Sequence, residues 1–585
     1  MVKTRQSIIK FTEEDSKEFN SIIISEEEAY NTLKESKTLY LDLETNGLDP
    51  LECQVVTVQM MNEYGDVALL KDPDSLDLLR PLLESALVIG HNLKFDTKFL
   101  KHHYDLNIIN MYDTYLAEIA ISGGKLAGRK GASLKDLVHK YCGVELDKTE
   151  QTRFHRGEAL TEAQEQYAIN DLKYLPTIVE MQKKHIDTMN LRNIIDIEMK
   201  CIPGVVWLEL SGMNINLERV AELRAQLVKQ RLEAQDKLYQ TFGTSKINLN
   251  SPLQMVKMLN KHKIPVCDIS EEELSKYSDQ IIDTLKAYKG AEKLLNTFVE
   301  KIPTFISKKT GRIHASFNQY GAKSGRFTSS KPNMQQQPSK FKEWRSVYQA
   351  TPGWKIVASD YSQIELRILA QISGEQEYIN AYNAGADLHK LTASKIFKIS
   401  PDEVTSKQRS MAKTVNFGLA YGMWTFGLIG NLNKAGISVT EDEAEKTING
   451  FYEAYPQVAK YLKTISETGL RNLQVKTEAG RICKFDYPQD EQERGSIKRE
   501  SKNLPIQGLC ADMVKSAIGN IYLSLEPLGV RFINTIHDEL VFECREKQAV
   551  YVARVVKEEM EKAGRVYLKD LPCIADTKIL DCWEK

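Results

Sequence analysis

The sequence predicts a multidomain α/β protein, and three observations carry that expectation. The chain has 585 residues, which at about 150 residues per unit gives roughly four domain-sized pieces. Strand-like and helical patterns come in successive blocks. Two separate sets of acidic residues fall at the ends of apolar, strand-like runs.

The composition is that of a folded chain: 42% hydrophobic and 27% charged residues, with 17 Pro and 32 Gly. This excludes collagen-like, disordered and disulfide-stapled classes. The formal net charge of −2 gives no global basic footprint, so an anionic partner would be held by local patches. Nine cysteines, none in a CxxC pair, read as reduced thiols of a cytoplasmic protein. The N-terminus mixes acids and bases without an apolar stretch, so no targeting peptide is expected. No run of about 18 apolar residues predicts a membrane span.

In chain order, 37–43 (KTLYLDL) reads as a strand, with further strands over 54–61 and 67–70. Helical patterns dominate from about 74 to 185. The stretch 197–303 reads as almost wholly helical, a charged and elongated lobe. Short strands return after Gly311 (RIHASFNQYG, WKIVASD), long helices occupy about 375–470, and a last pair of strands surrounds His537.

The first acidic set begins with Asp42 and Glu44 in LDLETNG. Residues i and i+2 of a strand share a face, so these carboxylates could share a divalent cation, although DxE at a strand end is common on its own. Asp96 follows in HNLKFD. Tyr167 and Asp171 are i and i+4 in a helical pattern and share a helix face. Together with DTYLAE (113–118), these segments resemble the three motifs of the DEDD proofreading exonucleases in their tyrosine-bearing variant, over about residues 25–185. The resemblance implies an RNase H-like 3′→5′ exonuclease domain. In it Asp42, Glu44, Asp96 and Asp171 hold two metal ions and Tyr167 orients the attacking water. Phosphodiester hydrolysis needs hard cations about 4 Å apart, for which carboxylates are suitable ligands.

The second set places Asp360 in SDYSQIELRILA after an apolar strand, and Asp538 at the tip of a hairpin in RFINTIHDELVFEC. Between them, in QRSMAKTVNFGLAYG, Arg409, Lys413, Phe417 and Tyr421 recur every four residues and form one helical stripe ending at Gly422. Cations at one end and rings at the other suit a nucleoside triphosphate. These three elements resemble motifs A, B and C of the family A DNA polymerases, from about Ile197 to Trp583. SGRFTSSKPNMQQQP, DLHKLTASKIF, FYEAYP and KRESKNLPIQG match as well.

The resemblance implies a right-hand polymerase of palm, fingers and thumb. The expected limits are 1–190 for the exonuclease domain, 191–310 for the start of the polymerase and the thumb, and 311–372 for the first part of the palm. The fingers follow over 373–490 and the second part of the palm over 491–585. By the same resemblance Asp360, Asp538 and the Tyr361 carbonyl bind two Mg²⁺ ions per centre, with Mn²⁺ as a possible substitute, and Glu539 is an accessory carboxylate. Arg409, Lys413 and His389 take the triphosphate, with Lys413 also the acid for pyrophosphate. Phe417, Tyr421 and Gln363 line the nucleotide, and Glu365 is the gate against a ribose 2′-hydroxyl. Arg326, Gln336, Arg499, Asn503, Gln507 and His537 match DNA contacts. The chain departs from the family pattern at Gln336–Gln337 and at Leu509–Cys510.

The expected partners are primer-template DNA, dNTPs and replication accessory proteins, with a monomer and no membrane. The first strand begins near Lys37, which predicts a chain without the 5′-nuclease domain of bacterial relatives. The compact layout resembles phage replicative enzymes and makes a phage-encoded protein in a host cytoplasm the expected source. The leading reading is a template-directed DNA polymerase with proofreading. A second is a 3′→5′ exonuclease whose C-terminal region binds nucleic acid without synthesis. A third, an RNA polymerase or reverse transcriptase, is opposed by Glu365 and by the exonuclease motifs.

Overall fold

A computed structural model describes residues 23–146, 149, 153–338, 341–420, 422–434 and 436–584. The chain divides into two compact units, one of residues 1–118 and 130–188, the other of 119–129 and 189–585.

The first unit is built on a five-stranded sheet. Its strands are β1 (Thr38–Thr45), β2 (Val55–Asn62), β3 (Val67–Lys71), β4 (Leu87–Gly90) and β5 (Met111–Asp113), in the spatial order β3-β2-β1-β4-β5. β1 pairs antiparallel with β2 and parallel with β4. It is therefore the central strand, which explains why Leu39, Leu41 and Leu43 alternate with Tyr40 and Asp42 yet nearly all are buried. β1 runs two residues beyond the expected strand, so Glu44 lies within it. The helix Lys94–Tyr104 follows β4, and the helix Glu162–Lys173 is started by a capping box in which Thr161 and Gln164 satisfy each other's backbone.

The second unit contains β6 (Ser316–Asn318) paired with β7 (Thr328–Ser330), and the larger β8 (Trp354–Tyr361). Beyond these are β9 (Gln474–Lys476), β10 (Ile482–Lys484), β11 (Arg531–Ile536), β12 (Glu539–Arg545) and β13 (Ala575–Leu580). β8 is the spine of a four-stranded antiparallel sheet ordered β11-β12-β8-β13. Of the expected strand RIHASFNQYG only β6 forms. β13 was not expected: ADTKIL is an edge strand whose side chains are mostly partly or fully exposed, so it lacks the apolar alternation of a core strand.

The helices Arg192–Ser211 and Glu491–Leu525 approach closely. A Cβ on Gly204 would lie 2.3 Å from Ile518, and one on Gly519 would lie 2.8 Å from the Lys200 carbonyl. Beside this contact Glu198, Arg481, Asp512 and Lys515 are wholly buried. They form a neutral four-charge cluster, with Arg481 reaching Glu198 at 2.6 Å and Asp512 at 2.5 Å. Desolvation on this scale is tolerated because each charge has an opposite neighbour. The helical stretch Leu217–Phe242 to Gln280–Leu294 has its own core, including Leu238, Met255, Leu259, Ile282 and Leu285.

Candidate active site

In the first unit, Asp42, Glu44 and Asp171 each offer a carboxylate oxygen within 4.8 Å of the others. β1 supplies the first two on one face and the helix Glu162–Lys173 supplies the third. The donors are all oxygen and largely buried, the setting a hard divalent cation requires. Tyr167, one turn before Asp171, lies close enough to all three carboxylates that they reinforce the effect of burial in pushing its hydroxyl pKa up. Phe154 packs near its ring, at 6.0 Å between centroids.

Asp96 belongs to the same neighbourhood but not to the three-oxygen group. It sits in the first turn of Lys94–Tyr104, accepts a hydrogen bond from the Leu43 backbone at 3.2 Å, and is held well above the usual carboxylate range by burial and by Asp42.

Supporting residues emerge that the motifs did not single out. Gln59 on β2 faces Asp42 across the ladder and donates to its Oδ2 at 2.8 Å, while Thr57 donates to Gln59 Oε1 at 2.9 Å. Both are fully buried. The available signal was two polar residues at i and i+2 within the apolar run VVTVQMMN. Asp113 accepts from the backbone nitrogens of Asn92, Leu93 and Tyr115 at 2.8–3.0 Å. It thus fixes the turn that leads into the Asp96 helix, and burial pushes its pKa up to about 6.

In the second unit, the β11–β12 hairpin turns through His537, in the left-handed region at φ 54°, and Asp538. Asp360 near the end of β8 pairs in register with Glu539, and the Tyr361 backbone nitrogen donates to the Asp538 carbonyl at 3.4 Å. The strand end and the hairpin tip therefore bring the two expected aspartates together. Glu539 is tied elsewhere: its carboxylate accepts from the Trp583 indole at 2.9 Å and lies 3.5 Å from Arg345. Among the described residues Asp360, Asp538 and Glu539 do not gather three ligand atoms as the first unit does.

Cys510, one of the departures from the family pattern, is buried where the charges of Asp538, Glu365, Arg326 and Asp360 all act on it. Its thiol pKa is pushed up, chiefly by burial. Arg326 and Glu365 are ion-paired with each other, and burial raises the Glu365 pKa against that pairing. Gln363 caps the helix Ile364–Ser373 in a left-handed conformation, φ 51°, and its side-chain oxygen accepts from Tyr382 at 3.2 Å.

On the helix Ser406–Ala420, Arg409 and Lys413 are exposed and Phe417 is half-buried. Arg409 bonds Asp387 at 2.7 Å. His389, only 4% exposed, lies 5.6 Å from the Phe417 ring. Its pKa is pushed down to about 4 by burial and by Arg409 and Lys413, against the pull of Asp387. Tyr421 lies outside the described residues. Arg499, Asn503 and Gln507 fall four apart on Glu491–Leu525, so they form one stripe. Arg499 and the separate Gln336 are exposed, as is His537.

Comparisons with known proteins bear on the two units as families. A family model described as DNA polymerase family A matches residues 217–585, and one described as 3'-5' exonuclease matches residues 21–187. DNA polymerase I of Aquifex aeolicus is 28% identical over 593 aligned residues, covering 95% of this chain and 97% of that protein. The Chloroflexus aurantiacus DNA polymerase I is 30% identical over 508 residues, covering 81% of this chain and 52% of its own length. This chain therefore spans about half the length of that relative. Among solved structures, the POL domain of Pol1 from M. smegmatis, in complex with DNA primer-template and dNTP, shares the fold with a TM-score of 0.82 at 23% identity, over 96% of this chain and 99% of that one. With two acidic centres in order and a family match across more than half its length, the chain belongs to DNA polymerase family A and carries a 3′-5′ exonuclease domain ahead of its polymerase domain.

Proposed function

We propose that this chain adds dNTPs to the 3′ end of a primer on a DNA template at Asp360 and Asp538, and trims the 3′ end at Asp42, Glu44, Asp96 and Asp171. The observation that carries this reading is the meeting of the β8 end with the β11–β12 hairpin tip, which sets Asp360 and Asp538, distant in sequence, on adjoining backbone. Domains of these two families use divalent cations, and the oxygen-only donor sets favour Mg²⁺, with Mn²⁺ as a substitute. When bound, the cations supply charge stabilisation to the attacking and leaving oxygens.

The remaining work falls to the chain's own side chains. Arg409 and Lys413 offer charge-assisted hydrogen bonds to phosphate, and Lys413 is suitably placed in that stripe to protonate departing pyrophosphate. The Phe417 ring and the Gln363 turn bound the nucleotide. Glu365, held by Arg326, walls the place of a ribose 2′-hydroxyl. The Arg499–Asn503–Gln507 stripe, with Arg326, Gln336 and His537, contacts the duplex through the minor groove and the backbone. Acceptors in that groove are alike for correct pairs, so such contacts test shape without reading sequence. At the exonuclease centre Tyr167 orients the water.

The reading includes the division into an exonuclease domain over 1–190, the start of the polymerase domain and the thumb over 191–310, a palm over 311–372 and 491–585, and fingers over 373–490. It also includes a monomeric enzyme acting in the cytoplasm; no described helix is long and apolar enough to cross a membrane.

A 5′-labelled primer on a longer template tests it. With Mg²⁺ and four dNTPs the primer lengthens, without dNTPs it shortens, and EDTA stops both. Shortening under both conditions would favour the exonuclease-and-binding alternative.

A further inference from the structure

We infer that Asn416 is a positioning residue for the triphosphate: its amide fixes the tautomer of His389, so that Nδ1 accepts and Nε2–H is the hydrogen the ring can offer to a phosphate oxygen. The inference rests on the reading of His389 as a triphosphate contact and adds a residue and a protonation state to it.

The argument is a count of hydrogens in a buried network. Asn416 and Thr392 have no exposed surface, and neither do Tyr378 and Tyr455. The Thr392 hydroxyl donates to the Leu388 carbonyl at 2.8 Å, the nearer of its two acceptors, Asn416 Oδ1 lying at 3.2 Å. Its oxygen is then left to accept, from the Tyr455 hydroxyl at 2.9 Å and from Asn416 Nδ2 at 3.1 Å. The Tyr378 hydroxyl donates to Asn416 Oδ1 at 2.8 Å. The second hydrogen of the Asn416 amide therefore goes to His389 Nδ1, 2.9 Å away. Reversing the amide would turn its NH₂ against the Tyr378 hydroxyl and leave that hydrogen, deep in the core, to find another acceptor. With Nδ1 accepting, a neutral imidazole must carry its proton on Nε2.

The charges around the ring reinforce the neutral form. Arg409, Lys413 and Asp387 face His389, and burial with the two cations outweighs Asp387, pushing the pKa down to about 4. Above that pH the ring is uncharged, and its tautomer alone decides whether it can donate. Asn416 lies between Lys413 and Phe417 in sequence, on the buried side of the same helix whose exposed side carries Arg409 and Lys413. The element that presents two cations to the phosphates thereby also sets the hydrogen on a third donor.

The test uses the full chain labelled with ¹⁵N-histidine, with the His389 signal assigned by its loss in His389→Gln. Two-bond ¹⁵N–¹H correlation in the wild type at neutral pH should show Nε2 protonated and Nδ1 bare, with a second proton taken up only near pH 4. Asn416→Asp puts an acceptor beside Nδ1, and should protonate that nitrogen and raise the ring pKa. Tyr378→Phe removes only the hydroxyl that holds Oδ1, and should give a mixture of tautomers in a protein that still melts cooperatively. In single-nucleotide extension, run above the ring pKa that the same spectra give for each protein so that the imidazole is neutral, Asn416→Asp and His389→Gln should each raise the dNTP KM about tenfold, the scale of one hydrogen bond to a charged group, with kcat changing less. A wild-type ring protonated on Nδ1 would overturn the inference. So would a folded Asn416→Asp with an unchanged KM while His389→Gln raises it. An unchanged KM in His389→Gln, with the wild-type tautomer as stated, would instead overturn the reading of His389 on which the inference rests.

Discussion

The two acidic centres of this chain are built to different degrees of completion. In the exonuclease unit three carboxylates already converge within 4.8 Å, and a buried Thr57–Gln59 relay holds one of them. In the polymerase unit two aspartates arrive from a strand end and a hairpin tip, while the neighbouring glutamate is occupied by Trp583 and Arg345. Like charges packed closely repel unless a cation joins them. The first centre thus has the donor arrangement of a cation cradle, and on the proposed reading the second would be completed by an incoming triphosphate. Hydrolysis needs only the strand end and water. Synthesis must also wait for the correct nucleotide, so leaving part of the centre to be completed by substrate serves selection.

The largest effects should separate the centres altogether. Asp538→Ala should lower primer extension by about 10³-fold or more, the scale of losing cation-borne stabilisation of the reacting oxygens, and leave primer shortening intact. Asp42→Ala with Glu44→Ala should do the reverse. Both are read on the same labelled primer, and a variant that lost both activities while folded would break the comparison.

Glu365→Ala should act next, and only on the polymerase side. The carboxylate is mostly buried and ion-paired to Arg326, so its removal opens space and leaves the partly exposed Arg326 without this partner. Discrimination against ribonucleotides should fall by about 10-fold to 10²-fold, a range suited to a steric pocket contact. The ratio of kcat/KM for a ribonucleotide and its deoxy counterpart measures it. A ratio unchanged from wild type would remove Glu365 from the gate.

Gln59→Leu should weaken degradation about tenfold, as expected for losing one hydrogen bond to a charged group, and leave extension unaltered. This prediction could not be drawn from the motifs. Asp42, Glu44, Tyr167 and Asp171 could be singled out because strand and helix periods put them on shared faces and because their segments together resemble the exonuclease motifs. Asp360 and Asp538 could be singled out because each ends an apolar run and because their segments together resemble polymerase motifs A and C. Gln59, Thr57 and Asn416 could not be, since a residue that holds another side chain has no chemical signature of its own and is defined by what folding sets opposite it. β13 escaped for a related reason: an edge strand half open to solvent does not show the apolar alternation by which strands are read. The register of β8 with β12 was likewise beyond sequence, because it depends on pairing between segments far apart in the chain.

That register bears on the smallest effect. The resemblance assigns Glu539 an accessory role beside Asp538, yet its two oxygens face the Trp583 indole and Arg345, and Arg345 in turn stacks on the Trp583 ring at 4.3 Å. Glu539→Gln keeps an oxygen that can accept from Trp583 and loses only the charge opposite Arg345. If Glu539 chiefly anchors the C-terminal Trp583 against the sheet, extension should fall only a few-fold, as for one weakened ion pair of about 1 kcal/mol, and degradation should not change. Glu539→Leu removes both contacts and leaves the largely enclosed Arg345 without this carboxylate, which should lower the melting temperature as well as extension. A Glu539→Gln variant as inactive as Asp538→Ala would instead place the carboxylate on the reacting cations, and the polymerase centre would then, like the exonuclease centre, be a three-carboxylate cradle once substrate is bound.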